Sequence, residues 1–366
     1  HIQVMDNRLF ERILCFGHIG FGEAYVDGLW ETDSISDVIG WFILNVDECS
    51  VVEGSKKAWF FNAMGVFNRV LHLLKPNSLK LSKENIHQHY DLSNDFFALF
   101  LDATMTYSAA KFDMPGQSLE SAQRAKYDAL CQKLSLKPTD HLLEIGTGWG
   151  GFSLYAAKHY GCHITTVTIS EEQYQLACQR IADADLSHQI EVRLQDYREI
   201  TGTFDKIVSI EMVEAVGEAY MDTYFAQCTQ LLKKDGLFAI QMITCPDSRY
   251  ALLRDNVDFI QKHIFPGSLL PSLARVTQSL TKAGDLFMVD LEDMGLNYAN
   301  TLSVWQERFN RNLDQVTALG FDDAFIRKWN YYLMYCHAAF SWRNITAVQA
   351  VYSRPNNPTL MAKGVI

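Results

Sequence analysis

The sequence predicts an α/β fold with a mainly parallel sheet covered on both faces, and three observations carry that prediction. The first is the apolar run Leu142-Leu143-Glu144-Ile145, which breaks into the glycine-rich turn Gly146-Thr147-Gly148-Trp149-Gly150-Gly151. The second is that further β-branched or apolar runs follow, the first of them stopping just before a helical stretch, a pattern typical of parallel sheets. The third is size: 366 residues with 48% hydrophobic content can bury one large core and a smaller domain besides.

Taken in order, a helical run from Leu119 to Leu134 leads into the sheet. The first strand then ends in a tight turn, where glycines let the backbone take unusual dihedrals and approach a ligand with no Cβ in the way; Gly146 and Gly148 are the close-approach positions. His163 to Ser170 reads as a second strand that stops before the helical Glu171 to Ala177. A third strand, Ile190 to Leu194, leads to Gln195-Asp196-Tyr197, and a fourth, Phe204 to Ile210, leads to Glu211-Met212-Val213-Glu214. A fifth spans Leu237 to Ile243, and Pro246 to Gly284 is a helical and loop-like interruption. Ligands of such sheets collect at the carboxyl ends of the strands, so these loops should meet around one crevice.

This arrangement fits the nucleotide cradle of an S-adenosylmethionine methyltransferase of class I. The similarity implies a Rossmann-like, mainly parallel seven-stranded sheet, with Glu144, Gly146, Gly148 and Trp149 near the amino-acid half of the cofactor. Thr168, Ile169 and Gln173 are further candidate contacts at the end of the second strand. Asp196 is the expected partner of the adenine amine, with Tyr197 covering the ring; an ordinary turn aspartate is the alternative for Asp196.

Composition excludes other classes. A formal charge of −11 argues against nonspecific nucleic-acid binding. Eight scattered cysteines show no C-x-x-C pair or metal-ligand spacing and read as small buried thiols of a reducing compartment. No apolar run approaches the roughly 20 residues needed to cross a bilayer, so a cytoplasmic protein is expected. One local exception to the acidic charge exists. From Gly54 to Lys83 there is no Asp or Glu, and Lys56, Lys57 and Arg69 accompany Trp59, Phe60, Phe67 and Leu71 at helical spacing. Such a basic, aromatic, amphipathic helix suits an anionic membrane surface; a core-packing helix with a solvated basic edge is the other reading.

Flanking motifs point to a family. His89-Tyr90-Asp91-Leu92-Ser93-Asn94-Asp95-Phe96-Phe97, Phe100-Leu101-Asp102 and Met105-Thr106-Tyr107-Ser108 together resemble the cyclopropane-fatty-acyl-phospholipid synthases. The resemblance extends to Phe16-Gly17-His18-Ile19-Gly20-Phe21-Gly22, to Ile264-Phe265-Pro266-Gly267, to Tyr298 with Trp305, and to Ser353-Arg354-Pro355. It implies an N-terminal lipid-binding domain over residues 1–74, a linker over 75–88, and a catalytic domain over 89–366. The segment of about 246–284 would form an acyl pocket, with Ile264, Phe265, Leu269 and Leu270 as candidate lining. It also implies a protein held at the inner face of the membrane, unsaturated phospholipid acyl chains as substrate, and a homodimer.

In this family the double bond attacks the cofactor's methyl group, and a bound bicarbonate takes the proton released on ring closure. Tyr107 and Ser108 match positions that cover the cofactor. Of the anion's holders, Glu214, Tyr298 and the backbone of Ile243 match. The family's cysteine is replaced by Ala109 and its histidine by Gln241, which still offers an amide donor to an anion, as in plant-like members that share Glu214-Ala215-Val216-Gly217; loss of the thiol loosens the anion site, with methyl- or methylene-branched chains as an alternative outcome. A soluble-amine methyltransferase and a lipid-binding relative without activity are two further readings. Glu214 is expected to orient Tyr298 and the anion, Glu211 to be a structural or cofactor-side neighbour, and His337 to be a packing residue or a stand-in for the missing histidine.

Overall fold

The computed structural model describes residues 1–45 and 92–360. The basic amphipathic segment, the linker, Cys49 and the start of the His89 motif lie outside the described residues.

The N-terminal segment contains β1 (Gln3–Val4), α1 (Arg8–Val26), β2 (Trp30–Glu31) and α2 (Ile35–Asn45). Helix α1 is kinked at Gly17, which adopts φ 57° and ψ −135°. Close approach is the reason for Gly22: a Cβ there would stand 2.7 Å from Phe259 and 2.8 Å from Tyr331. Phe21 stacks on Trp30 at 4.3 Å, and the Trp30 indole donates to the Phe21 carbonyl at 2.9 Å. This segment shares one hydrophobic cluster with Phe96, Phe97, Trp305 and Trp329, so residues 1–45 pack directly on the remainder of the chain.

Next come α3 (Asn94–Ala98) and α4 (Leu119–Lys133), each started by a serine, Ser93 and Ser118, whose hydroxyl accepts a backbone N–H of the first turn. The central sheet then forms from β3 (His141–Ile145), β4 (His163–Thr168), β5 (Ile190–Leu194), β6 (Phe204–Ile210), β7 (Leu232–Thr244), β8 (Phe287–Asp293) and β9 (Thr346–Ser353). Its order is β5-β4-β3-β6-β7-β9-β8. The first five of these lie parallel, and β9 runs antiparallel to both β7 and β8.

Alternation along β3 explains its unbroken apolar run. Leu143 and Ile145 join the cluster on one face, with Phe225 and Phe238. Leu142 joins the other, with Leu130 and Phe152. A strand buried on both sides needs no polar face. Helices α5 (Gly151–Tyr160) and α6 (Glu171–Asp183) follow β3 and β4, and α7 (Met221–Leu231) precedes β7.

The interruption after β7 contains α8 (Asp247–Asp255), α9 (Phe259–His263) and α10 (Leu273–Ala283). The chain closes with α11 (Gly295–Arg311), α12 (Leu313–Ala318) and α13 (Asp323–Ser341) ahead of β9. Because β3 is flanked by β4 on one side and β6 on the other, the sheet order reverses there and opens a crevice at its carboxyl end. No described helix is long and apolar enough to cross a membrane.

Candidate active site

The crevice is a cavity of about 390 Å³. Its polar end is the turn after β3, where Gly146 and Gly148 take φ 102° and 51°. A Cβ on Gly146 would come within 3.3 Å of Met212, whereas one on Gly148 would point into open space. Both positions thus leave the backbone bare toward the cavity, and the left-handed dihedrals select glycine.

Glu144, Trp149, Thr168, Ile169, Gln173, Asp196 and Tyr197 all line this cavity. Their partners are now visible. Glu144 is buried and accepts from Ser153 Oγ at 2.5 Å and Thr166 Oγ1 at 2.6 Å. Burial nevertheless raises its pKa to about 7 against those hydrogen bonds. Thr168 Oγ1 donates to Gln173 Oε1 at 2.9 Å, fixing the end of β4 to the first turn of α6. The Trp149 indole is committed to Asn94 Oδ1 at 2.6 Å, so the ring serves as wall.

Asp196 differs from a lone acceptor. Arg198 grips it through two side-chain hydrogen bonds, Nε to Oδ1 at 2.8 Å and Nη2 to Oδ2 at 2.7 Å. Oδ1 also accepts from Arg198 N at 2.9 Å, so the remaining acceptor capacity is on Oδ2. Tyr197 packs edge-on against Tyr224 at 5.3 Å, with the Arg198 guanidinium over its face.

The opposite wall is aromatic. Tyr107 stacks on Trp305 at 5.1 Å and pairs its hydroxyl with that of Tyr332 at 2.7 Å. Tyr298 stacks on Phe340 at 4.4 Å. From the interruption, Phe265, Leu269 and Leu270 reach the cavity. Ile264, also a candidate for lining, does not; it is buried in the main cluster as a core residue.

The depth of the cavity holds the largest departure from expectation. Tyr298 Oη donates to Glu211 Oε2 at 2.8 Å, not to Glu214. Glu211 Oε1 accepts from Ala109 N at 2.9 Å and from Gln241 Nε2 at 2.8 Å. Ala109 and Gln241 therefore stand behind the Glu211 side chain and not on the cavity wall, because that side chain fills the space between them. Gln241 is turned this way by Gln349, whose Nε2 donates to Gln241 Oε1 at 3.0 Å.

Glu214 lines the cavity and accepts from Ile243 N at 2.5 Å, which uses the backbone donor assigned to an anion. Its Oε2 is buried without a hydrogen-bond partner among the described residues. Burial, then the nearby Glu211 charge, raises the Glu214 pKa to about 8, so it is mostly protonated at neutrality. Glu211 is raised too by burial, but Gln241, Ala109 N, Lys126 and Tyr298 all oppose the shift. His337 is no substitute for the absent histidine: its Nδ1 meets Ser36 Oγ at 2.7 Å on the N-terminal segment, and it is no part of the cavity wall.

Lys126 is a residue of the site that sequence reasoning passed over. It is fully buried, lines the cavity, and donates from Nζ to Ser108 Oγ at 2.8 Å. Burial lowers its pKa to about 7 despite the attraction of Glu211, Asp102 and Glu144. The available signal was its place at helical spacing among Leu119, Ala122, Tyr127 and Leu130, a stripe where a lysine has no solvent to reach.

A bare glycine turn at the reversal point of a mainly parallel sheet is the place for a nucleotide cofactor, and the family match and solved relatives make this chain a methyltransferase that uses S-adenosylmethionine. The family profile described as mycolic acid cyclopropane synthetase matches residues 77–350, and the chain belongs to that family. It is 41% identical to the tuberculostearic acid methyltransferase of Mycobacterium tuberculosis over 350 residues, covering 91% of this chain and 78% of the relative. It is 37% identical to the cyclopropane-fatty-acyl-phospholipid synthase of Escherichia coli over 356 residues, covering 96% and 87% respectively. A mycolic acid cyclopropane synthase solved in complex with SAH and CTAB superposes with a TM-score of 0.69 at 30% identity, covering 74% of this chain and 98% of that one.

Proposed function

We propose that the protein transfers the methyl carbon of S-adenosylmethionine to the cis double bond of unsaturated phospholipid acyl chains at a membrane surface. The observation that carries this reading is the single cavity in which the glycine turn faces the aromatic wall, with a buried carboxylate at its depth. The cofactor, when bound, supplies an electrophilic methyl group. Gly146, Gly148, Thr168, Gln173, Asp196 and Tyr197 are the residues to hold it, and Tyr107 and Ser108 close the crevice from the other side.

An alkene is a poor nucleophile, so alignment and exclusion of water have to supply much of the acceleration. Phe265, Leu269 and Leu270 offer an apolar channel for an acyl chain. The faces of Tyr298, Tyr107 and Phe340 suit the cation that forms on the chain, since a ring quadrupole attracts positive charge. Loss of a proton from the added carbon with ring closure gives cyclopropane. The identity to the tuberculostearic acid methyltransferase, together with Ala109 and Gln241, favours a second reading in which the cation resolves to a methyl- or methylene-branched chain.

Incubation with unsaturated phospholipid vesicles and labelled cofactor, followed by proton NMR of the acyl products, separates the two. Upfield cyclopropane protons are expected; vinylidene signals establish the branched product instead. Absence of label from the lipid, with transfer to soluble amines, overturns both.

A further inference from the structure

We propose that Glu211 is itself the catalytic base, its carboxylate occupying the place and the donors of a bound anion. The inference rests on the alkene reading above. Three donors from three separate parts of the chain converge on this one side chain: Ala109 N and Gln241 Nε2 on Oε1, and Tyr298 Oη on Oε2. Ala109, Gln241 and Tyr298 are the very positions, read from sequence, at which the anion's holders were sought. A separate anion there would find its donors spent and a like charge in its way.

The construction is costly and local. Glu211 has φ 47°, a left-handed backbone that strains a non-glycine residue. Its own N–H is tied to the Gln241 carbonyl at 2.8 Å, which holds the strained residue at the end of β6. Ala109 is fully buried, and no larger side chain competes with the carboxylate. The Gln241 amide is held with its Nε2 toward the carboxylate by Gln349. Lys126 adds a positive field that opposes the rise burial imposes on Glu211, while burial and the Glu211 charge push Glu214 up to about 8. Glu211 also lines the cavity, so the reacting chain can reach it.

In the step assigned to it, one alkene carbon bonds to the incoming methyl carbon as the sulfur–carbon bond breaks and sulfur keeps that electron pair. The neighbouring alkene carbon becomes the cation. Oε2, which has one donor and a spare lone pair, takes a proton from the added carbon. The released C–H pair forms the third ring bond, and Glu211 ends as a neutral acid that passes its proton to solvent after product leaves. No external anion enters the balance.

Two measurements test this. In the first, carbon-13 bicarbonate is titrated by NMR, with SAH present, into the wild-type protein and into Glu211→Gly. The glycine variant relieves the left-handed strain but leaves the three donors to the added anion, so its melting temperature is measured with and without bicarbonate. The wild type is expected not to bind bicarbonate and the variant to bind it; equal binding by both overturns the proposal. In the second, methylation of unsaturated phospholipid is followed in carbon dioxide-free buffer with and without added bicarbonate. The wild type is expected to be indifferent to bicarbonate, Glu211→Gln to lose about 10²–10⁴-fold, and Glu211→Gly to regain activity when bicarbonate or formate is added. A wild type that needs bicarbonate, or a fully active Glu211→Gln of normal melting temperature, overturns the assignment. If the wild type excludes bicarbonate, Glu211→Gly admits it, and yet no lipid is methylated, the substrate reading fails while the anion-site assignment stands.

Discussion

A buried lysine beside buried carboxylates sets the electrostatics of this site at the scale of single residues. Among the described residues the Lys126 amine has one hydrogen-bond partner, Ser108 Oγ, and it lies over the Tyr127 ring at 4.6 Å. Its amine lowers the pKa of Glu211, and Glu211 in turn supports the charged amine. Removing the cation raises the Glu211 pKa, so the base stays protonated to higher pH. Lys126→Met is therefore expected to move the acidic limb of the kcat/KM profile to higher pH, as read by initial rates at fixed lipid. An unmoved limb contradicts the coupling. Glu211 illustrates why such a role was hard to read from the chain. Its contacts come from residues 109, 241 and 298, and only folding brings those together.

The docking of whole elements has its own pH response. Glu23 on α1 is joined to Lys262 Nζ at 2.6 Å and His263 Nε2 at 2.9 Å on α9, which ties the N-terminal segment to the wall of the crevice. Burial alone would raise the Glu23 pKa, but hydrogen bonds from His263 and Lys262 outweigh it and bring it from 4.5 to about 2. A depressed carboxylate contributes stability that is present above pH 4.5 and lost as pH falls through about 2. Protection of the α1 amides, exchange corrected for the intrinsic rate at each pH, should therefore fall across that window and fall less in Glu23→Gln; identical pH dependence in both would show that the link does not hold the helix. Most strand positions were legible from periodicity, since His141–Ile145, His163–Thr168 and Ile190–Leu194 are short apolar or β-branched runs bounded by turns. The start of β7 was not. The strand was expected from Leu237, yet Leu232 already pairs with Phe204 across a register shift.

At the scale of the whole molecule, the crevice and the described apolar surface have to be set against a membrane for the proposed reaction. Phe10, Leu14, Trp41, Phe42 and Leu44 are exposed on the N-terminal segment. The basic segment with Lys56, Lys57 and Arg69 follows it in the chain, outside the described residues. Charge attraction to anionic lipid is worth about 1 kcal/mol per basic residue near the surface. Neutralising Lys56, Lys57 and Arg69 together should lower activity on anionic vesicles, with the loss fading at high salt and on neutral detergent-dispersed substrate. Unchanged activity on anionic vesicles removes the membrane role from that segment.

By itself the sequence determined the class of sheet, the cofactor turn and the family, because these depend on local signals: strand periodicity, glycines at positive φ, and long motifs in fixed order. It also singled out Ala109 and Gln241 as positions of interest. What fills the space between them was decided only by tertiary structure. A carboxylate at the end of β6 has no intrinsic role; it acquires one when a positive φ turns it between Ala109, Gln241 and Tyr298, whose hydrogen bonds cross distances in sequence that no local pattern records.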